Sequence, residues 1–256
     1  MSPGALREIA EAVAREAGHQ LRAAFAGPRV NVTAKSSPTD LVSEADHAAE
    51  RLIRDRLRVA RPGDGFLGEE GGDAEGSSGL RWIVDPLDGT VNFLFGIPQW
   101  AVSIACEDEG GALTGVIYDP MRDELWTAER DGPALLDGAV IEGSDRADLA
   151  TTMVATGFGY DAEVRTYQAG VLARLLPQVR DIRRFGSAAL DLAWTAAGRY
   201  DAFYERGLNA WDLAAGELLC RRAGLAVRTL EPAPPAAGGV LVAPYAVVEE
   251  LFAIVA

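Results

Sequence analysis

Cysteine is scarce in this sequence, and its scarcity excludes a fold held together by disulfides. The 256 residues contain two cysteines, Cys106 and Cys220, which lie far apart and form no spaced pattern. Small disulfide-rich proteins of oxidising compartments carry many more. A chain of this length buries enough apolar surface to fold without covalent cross-links. We therefore expect two reduced thiols and a cytoplasmic protein.

Long apolar runs are also absent. No stretch of the sequence approaches the roughly 18 apolar residues that a membrane-spanning helix needs. The first 25 residues place apolar side chains such as Leu6, Ile9 and Val13 at helical intervals, with charged residues between them. That pattern predicts an amphipathic helix of the folded protein rather than the unbroken apolar core of a signal peptide. We expect no membrane partner.

Positive charge is in deficit. Lysine and arginine together number 24, against 38 aspartates and glutamates, and the formal net charge is −14. Nucleic-acid binding depends on basic groups that displace phosphate counterions, so this balance argues against it. An acidic protein with an anionic ligand therefore needs cations. Lys35 is the one lysine, which is either a chance survivor on a surface loop or a residue kept for its charge.

Histidine is nearly absent, which removes two common hydrolytic mechanisms. His19 and His47 are the two histidines, and both fall in predicted N-terminal helices. Phosphohistidine and Ser-His-Asp mechanisms need a histidine beside the reacting atoms. Asp85 and Asp88 are separated by two residues, one more than the Asp-x-Asp pattern of phosphatases that form an aspartyl phosphate. A covalent aspartyl intermediate is therefore not expected.

Helical and strand patterns alternate along the chain and predict a mixed α/β or α+β fold. Residues 100–128 have the pattern of a β-meander. A buried strand from Trp82 is predicted to stop at Asp85-Pro86, because proline lacks the amide that a strand ladder needs. We expect one domain over 1–256, with an N-terminal lobe over about 1–145 and a C-terminal lobe over about 146–256. The other predictions are short strands over 30–34, 153–158, 202–205 and 239–243, a loop over 71–79, and helices over 43–59, 164–176, 187–197, 211–223 and 247–255.

The segment WIVDPLDGTVNF carries the strongest chemical signal. Asp85, Asp88 and the main-chain carbonyl of Leu87 come just beyond a buried strand, and a helix is predicted to start at Thr90. Hard divalent cations prefer oxygen ligands, and Mg²⁺ binds through one or two carboxylates plus phosphate and water. The N–H groups of Gly89 and Thr90 at a helix N-terminus suit a phosphate. One short segment therefore offers a cation site and an anion cradle, although acidic residues beside turns also serve as caps.

Two more acidic residues lie at the ends of predicted elements. Glu69 ends the preceding strand, and Asp212 starts a later helix. If both converge with Asp85 and Asp88, each like-charge pair about 4 Å apart costs about 4 kcal/mol at an effective dielectric constant near 20. Such a cluster must either bind protons or hold about two divalent cations.

Taken in order, GEE, WIVDPLDGTVNF and WDLAAGELL resemble the three signatures of the inositol monophosphatase family, and the similarity runs from Lys35 to the C-terminal helix. The resemblance implies a layered α/β/α/β/α sandwich of the type shared with fructose-1,6-bisphosphatase. It also implies two or three Mg²⁺ ions per active site and, commonly, a homodimer. The expected reaction is hydrolysis of a small phosphorylated metabolite such as myo-inositol 1-phosphate, by in-line attack of a metal-activated water.

The family's site residues carry over by position. The resemblance places the first Mg²⁺ on Glu69, Asp85 and the carbonyl of Leu87. It places the second on Asp85, Asp88 and Asp212, while Glu69 also holds waters around a third ion. The other implied roles are these: Asp46 and Thr90 orient the attacking water, Lys35 moderates negative charge, Gly89 and Thr90 bind phosphate, and Ala188 and Glu205 contact the substrate alcohol alongside Asp88 and Asp212.

Several alternatives stay open. Asp46 also fits a capping box with Ser43, and Glu205 fits a surface acid at a strand end. Val91 stands where many relatives have a second threonine, and residues 130–142 look abbreviated, without the usual Phe-Leu-Asn-Gly turn. These departures leave the metal ligands unchanged, so they affect the choice of substrate rather than the chemistry. Histidinol phosphate, a sugar phosphate or a phosphonucleotide are therefore alternative substrates. A non-catalytic regulatory homologue is a further alternative, although such a protein would usually have lost a metal ligand.

Overall fold

The computed structural model describes residues 2–27, 33–34 and 41–256. Lys35 and the first part of the predicted strand over 30–34 lie outside these residues. Within the described part of the chain, no helix has the length and apolarity that crossing a bilayer requires.

The first half of the chain builds an eight-stranded sheet of order β10-β9-β8-β7-β6-β5-β3-β4. Strands β3 and β5 pair in parallel, and the other neighbours pair antiparallel. A separate antiparallel pair joins β1 and β2. The elements of this half are α1 (Pro3–Phe25), β1 (Thr33–Ala34), β2 (Leu41–Val42), α2 (Glu44–Ala60), β3 (Gly65–Gly68), β4 (Gly72–Ala74), β5 (Arg81–Asp88), α3 (Thr90–Phe95), β6 (Ala101–Asp108), β7 (Gly111–Asp119), β8 (Glu124–Glu129), β9 (Ala134–Leu136) and β10 (Ala139–Val140).

The second half builds a five-stranded sheet of order β12-β11-β13-β15-β14. Strand β11 is parallel to both of its neighbours, whereas β15 is antiparallel to both of its own. The elements are β11 (Met153–Thr156), α4 (Ala162–Leu175), β12 (Asp181–Arg183), α5 (Ala188–Ala196), β13 (Ala202–Arg206), α6 (Ala210–Arg222), β14 (Ala226–Leu230), β15 (Gly239–Ala243) and α7 (Val248–Val255).

Three hydrophobic cores arrange these elements in five layers. Strand side chains alternate between the two faces of a sheet, so Trp82 and Val84 of β5 pack in the core with α1 and α2, whereas Ile83 packs in the core with α5 and α6. The core with α5 and α6 also contains Phe203 and Val242 of the second sheet. The far face of that sheet packs against α4 and α7. The predicted α/β/α/β/α sandwich is confirmed.

Helix boundaries follow the capping residues of the sequence. Ser43 caps α2 in a capping box with Asp46, as predicted. Ser187 caps α5, because its hydroxyl oxygen accepts a hydrogen bond from the amide of Leu190. Gly224, just after α6, has a φ of 85°, the left-handed conformation in which glycine commonly ends a helix.

Two predictions about strands were wrong. Strand β5 does not stop at Asp85-Pro86 but continues to Asp88, and β4 lies inside the loop predicted over 71–79. The proline is tolerated because the register of β5 against β6 shifts between Asp85 and Asp88. Residues 130–142 contain the hairpin of β9 and β10, whose turn residues Asp137 and Gly138 have φ values of 48° and 80°. Sequence patterns also missed β12 and β14.

Candidate active site

A cavity of about 410 Å³ opens where the end of β5 meets the N-termini of α3, α5 and α6. Its wall consists of the end of β5 and the start of α3, residues 157–160, residues 184 and 186–188, residues 205–209, residues 211–212, and Glu69 just after β3. Every predicted site residue lines this cavity except Asp46, which lies behind it, and Lys35, which lies outside the described residues. The fold thus brings segments that are distant in sequence to one opening.

Strand β5 is irregular where it carries its carboxylates. Asp85 lies opposite Ser103 of β6, but Asp88 lies opposite Ala101, so β5 has one extra residue in this stretch. Pro86 falls inside the bulge, where its missing N–H disrupts no regular ladder bond. The amide of Leu87 donates to Asp85 Oδ1 at 2.9 Å and fixes that side chain. The bulge therefore directs both aspartates of β5 toward the same cavity.

Three carboxylates converge at this point. Asp85, Asp88 and Asp212 each offer an oxygen within 4.8 Å of the others. Burial raises the pKa of Asp85 well above its usual range, and the neighbouring carboxylates, Glu69 first, raise it further. Burial likewise raises the pKa of Asp88 to about 6 and that of Asp212 to about 7. Buried carboxyl groups this close together need either protons or cations.

Glu69 borders this cluster without belonging to it. Its carboxylate is not one of the three that lie within 4.8 Å, although it lines the same cavity and its charge raises the pKa of Asp85. The amide of Glu69 donates to the carbonyl of Val84 at 3.2 Å, which extends the β3–β5 pairing by one residue. Glu69 therefore lies beside Asp85, at the end of the β3–β5 pairing.

The N-terminus of α5 binds the carboxylate of Asp88. The hydroxyl of Ser187 and the amide of Ala189 both donate to Asp88 Oδ2, and the amide of Ala188 donates to Oδ1 at 3.3 Å. These hydrogen bonds lower the pKa of Asp88 and so oppose the effect of burial. Charged acceptors are stabilised at a helix N-terminus, so Asp88 is held in a fixed orientation.

Asp46 completes the capping box that Ser43 begins at the start of α2, and it also contacts Thr90. Its Oδ2 accepts hydrogen bonds from the amide and the hydroxyl of Ser43, at 2.9 and 2.5 Å. Its Oδ1 lies 2.8 Å from the hydroxyl oxygen of Thr90, which is also 3.0 Å from the carbonyl oxygen of Leu87. The capping role and the contact with Thr90, which the sequence left as alternatives, are geometrically compatible.

Gly89 opens α3 in a conformation that requires glycine. Its φ is 95°, and a Cβ at this position would lie 2.9 Å from the carbonyl oxygen of Gln99. Gly89 and Thr90 both line the cavity next to Asp88. The backbone at the start of α3 is therefore close to the carboxylate cluster.

The opposite wall carries Glu205 in β13 and Ala188 at the start of α5. Burial raises the pKa of Glu205 to about 8, and the charge of Asp212 adds to this, whereas Arg184 opposes it. Glu205 fits because residue 157 is glycine: a Cβ there would lie 2.1 Å from both carboxylate oxygens. Glu205 thus lies partly buried in the cavity wall rather than fully exposed at a strand end.

Two residues near the cavity were missed from the sequence. Asp191 lies in α5 with 1% exposure, and its Oδ1 has no hydrogen-bond partner in the described structure. Burial raises the pKa of Asp191, and the charges of Glu205 and Asp88 raise it further. A single acid in the otherwise apolar run AALDLAWTA was the available signal. Arg184 also lines the cavity, but no pattern marked it.

The donor set fits a hard divalent cation. All the converging ligand atoms are oxygens, and burial, together with the neighbouring carboxylates, raises the pKa values of Asp85 and Asp212. Mg²⁺ prefers carboxylate, carbonyl and water oxygens of this kind. The geometry of the site thus agrees with the resemblance noted in the sequence.

Comparison with known proteins decides the family. The family model described as "Inositol monophosphatase family" matches residues 4–255. The chain belongs to the inositol monophosphatase family. Among curated members, it is 43% identical over 259 residues to "Inositol-1-monophosphatase SuhB" of Mycobacterium tuberculosis, an alignment that covers 94% of this chain and 89% of the relative.

Other members of the family carry a different name or add structural support. The chain is 44% identical over 218 residues to "Nus factor SuhB" of Escherichia coli, which covers 84% of this chain and 82% of the relative. The crystal structure of the extragenic suppressor protein suhB from Bartonella henselae superimposes with a TM-score of 0.91 at 39% identity, and covers 98% of both chains. Family membership and fold therefore rest on both sequence and structure.

Proposed function

We propose that the chain is a Mg²⁺-dependent phosphatase that hydrolyses a small phosphate monoester, with a polyol phosphate such as myo-inositol 1-phosphate as its substrate. The observation that carries the proposal is the convergence of Asp85, Asp88 and Asp212 within 4.8 Å, at a cavity of about 410 Å³. A cavity of this size suits a small metabolite. Uncatalysed phosphate-monoester hydrolysis is extremely slow, so a catalyst must neutralise charge and align the reactants.

Two or three Mg²⁺ ions fit the ligands. Glu69, Asp85 and the carbonyl of Leu87 would hold one ion. Asp85, Asp88 and Asp212 would hold a second, and Glu69 would bind the waters of a third. Bound Mg²⁺ supplies Lewis acidity, which lowers the pKa of a coordinated water and neutralises charge on the phosphate.

Asp46 and Thr90 orient the water that attacks phosphorus in line. The Thr90 hydroxyl, 2.8 Å from Asp46 Oδ1, can donate its proton to that carboxylate and accept a hydrogen bond from a water in the cavity. Ser43 holds Asp46 from the other side, so the pair is fixed before substrate binds. The proton of the attacking water then moves toward Asp46 by way of Thr90.

The two walls divide the substrate between them. The amides of Gly89 and Thr90 bind the phosphate, while Ala188 and Glu205 contact the alcohol that leaves. Glu205 is partly buried and lines the cavity, which supports hydrogen bonding to substrate hydroxyls. The proposed role of Lys35 in moderating negative charge rests on the sequence alone.

Other substrates and one other function remain alternatives. Histidinol phosphate, a sugar phosphate or a phosphonucleotide would use the same cavity. A regulatory role through binding other macromolecules is favoured by one observation, the name "Nus factor SuhB" of relatives that are 44% identical. The presence of all the acidic ligands at one cavity supports catalysis.

We further propose a cytoplasmic homodimer in which each chain is one domain, with lobes over about 1–145 and 146–256. Phe95, Ile97 and Phe185 are exposed by 71%, 47% and 41%. They are neighbours, because Asn92 donates from Nδ2 to the carbonyl of Phe185 and its own carbonyl accepts from the amide of Ile97. Large apolar side chains exposed in one region of the surface support association with a second copy.

The proposal is tested by assaying the purified protein with Mg²⁺ against inositol 1-phosphate, histidinol phosphate, fructose 1,6-bisphosphate and 3′-phosphoadenosine 5′-phosphate. We expect phosphate release that requires Mg²⁺, is abolished by EDTA, and is fastest with inositol 1-phosphate. A preference for another compound would change the substrate but leave the chemistry in place. No hydrolysis of any of them would contradict the proposed phosphatase.

A further inference from the structure

We propose that Glu50 of α2 is a positioning residue for Glu69, because its carboxylate anchors the turn on which Glu69 lies. This inference rests on the proposed function, in which Glu69 is a metal ligand. Glu50 itself is outside the cavity and outside the cluster of three carboxylates. Its role would therefore be to fix a ligand, with no direct contact to substrate or cation.

The hydrogen bond that carries the inference is short and buried. Glu50 is 2% exposed, and its Oε2 accepts from the amide of Glu70 at 2.6 Å. The pairing of β3 with β5 extends through the amide of Glu69 and then ends. Beyond that point, Glu50 holds the main chain at the residue that follows Glu69.

Two glycines leave room for the Glu50 carboxylate. A Cβ at Gly68 would lie 2.4 Å from Glu50 Oε2, and a Cβ at Gly71 would lie 2.0 Å from Oε1. Neither glycine has a positive φ, so close approach rather than backbone conformation explains them. The carboxylate is therefore packed against the main chain on both sides of Glu69 and Glu70, and a side chain at either glycine would force it away.

The charge of Glu50 is partly balanced where it lies. Burial raises its pKa, while the amide of Glu70 and the charge of Arg54 act in the opposite direction. The charge of Glu69 raises it as well, which places the two carboxylates near each other. A buried acceptor of this kind is costly unless it is hydrogen-bonded, so its hydrogen bond to the turn is strongly favoured.

One helix then positions two parts of the proposed site. Asp46 and Glu50 are four residues apart in α2 and so lie on the same face. Asp46 contacts Thr90, whereas Glu50 holds the turn after Glu69. The rigid spacing of one helical turn thus fixes where the proposed water-orienting pair lies relative to a proposed metal ligand.

The test compares Mn²⁺ binding, measured calorimetrically without substrate, in the wild type, Glu50→Ala and Glu50→Gln. Groups that orient metal ligands typically contribute about 10–100-fold to metal affinity. We expect Glu50→Ala to bind Mn²⁺ about 10–100-fold more weakly than the wild type. The Mg²⁺ concentration needed for half-maximal rate should rise by a matching factor, while the KM for substrate at saturating Mg²⁺ should not change. Glu50→Gln should recover most of the affinity, because its amide oxygen can still accept from Glu70. Glu44→Ala is the matched control, because Glu44 is exposed on the same helix and pairs with Arg51.

A second variant keeps the test independent of folding defects. Gly71→Ala retains Glu50 but displaces its carboxylate, so it should weaken Mn²⁺ binding in the same way. Unchanged Mn²⁺ affinity in folded Glu50→Ala and Gly71→Ala, whatever their thermal stability, would overturn the inference and leave the proposed function intact. A wild type that binds no Mn²⁺ would overturn both.

Discussion

Glu205 gives a direct measure of the electrostatics of the cavity, because its carboxyl is buried and glutamine has nearly the same shape. Burial, with the charge of Asp212, raises its pKa from 4.5 to about 8. Between these values the folded protein keeps a proton on Glu205 that the unfolded chain has released. The contribution of Glu205 to the free energy of unfolding is therefore highest below the lower value and is lost as pH rises through the higher one. At about 1.4 kcal/mol per unit of pKa shift, the difference between the two pKa values corresponds to about 5 kcal/mol of stability.

Replacement by glutamine removes this titration. In EDTA, we expect Glu205→Gln to lose less stability than the wild type between about pH 5 and about pH 8, with a difference of up to about 4 kcal/mol. Urea denaturation at a series of pH values, followed by tryptophan fluorescence, measures the two slopes. Glu75→Gln, at an exposed position, should keep the wild-type slope. Equal slopes for the wild type and Glu205→Gln would refute the assignment of Glu205 as a buried, protonated carboxyl.

Four further outcomes follow from the same geometry. Asp85→Asn should reduce the rate of phosphate release by more than about 100-fold, because even residues that only orient a metal ligand contribute about 10–100-fold to metal affinity or activity. The variant should keep the thermal stability of the wild type in EDTA. Asp131→Asn, at an exposed position, is the control. Thr90→Val should lower kcat by about 10²–10⁴-fold if its hydroxyl relays the proton, and Thr90→Ser should restore most of the rate. Mg²⁺ binding should release protons near neutral pH and weaken as pH falls, because burial raises the pKa of Asp212 to about 7 in the metal-free protein. Calorimetry in buffers of different ionisation enthalpy measures the protons released, and no release would contradict this prediction. Phe95→Asp should convert a dimer to a monomer in light scattering, and an unchanged mass would exclude that surface as the interface.

Local sequence signals predicted several helix starts and the identity of the acidic cluster. Ser43 with Asp46 marked the start of α2, because a capping box is encoded within four residues. Asp85 and Asp88 were marked by their position after an apolar strand, and Asp212 by its position at a helix start. Charge alone did not predict that these residues converge, because separate acidic ends of buried elements either meet around cations or are solvated apart. The resemblance to the family implied the convergence.

Features that depend on a neighbouring element could not be read from the sequence. Pro86 argued for the end of a strand, but pairing with β6 carries β5 past it as a bulge. Glu50 has the spacing of an ordinary helix-surface acid, and only the turn after β3 shows that it is buried. Asp191 is a single acid in an otherwise apolar run, but its nearness to Glu205 of β13 is visible only in the fold. In each case the partner comes from a distant segment, which local periodicity does not encode.

The most direct measurement is anomalous diffraction from crystals soaked in Mn²⁺. We expect anomalous peaks bounded by the carboxylates of Asp85, Asp88 and Asp212, with Glu69 and the carbonyl of Leu87 beside them. If these oxygens bind no Mn²⁺ at concentrations that support activity, or if Mn²⁺ binds elsewhere, the proposed metal-dependent mechanism is contradicted.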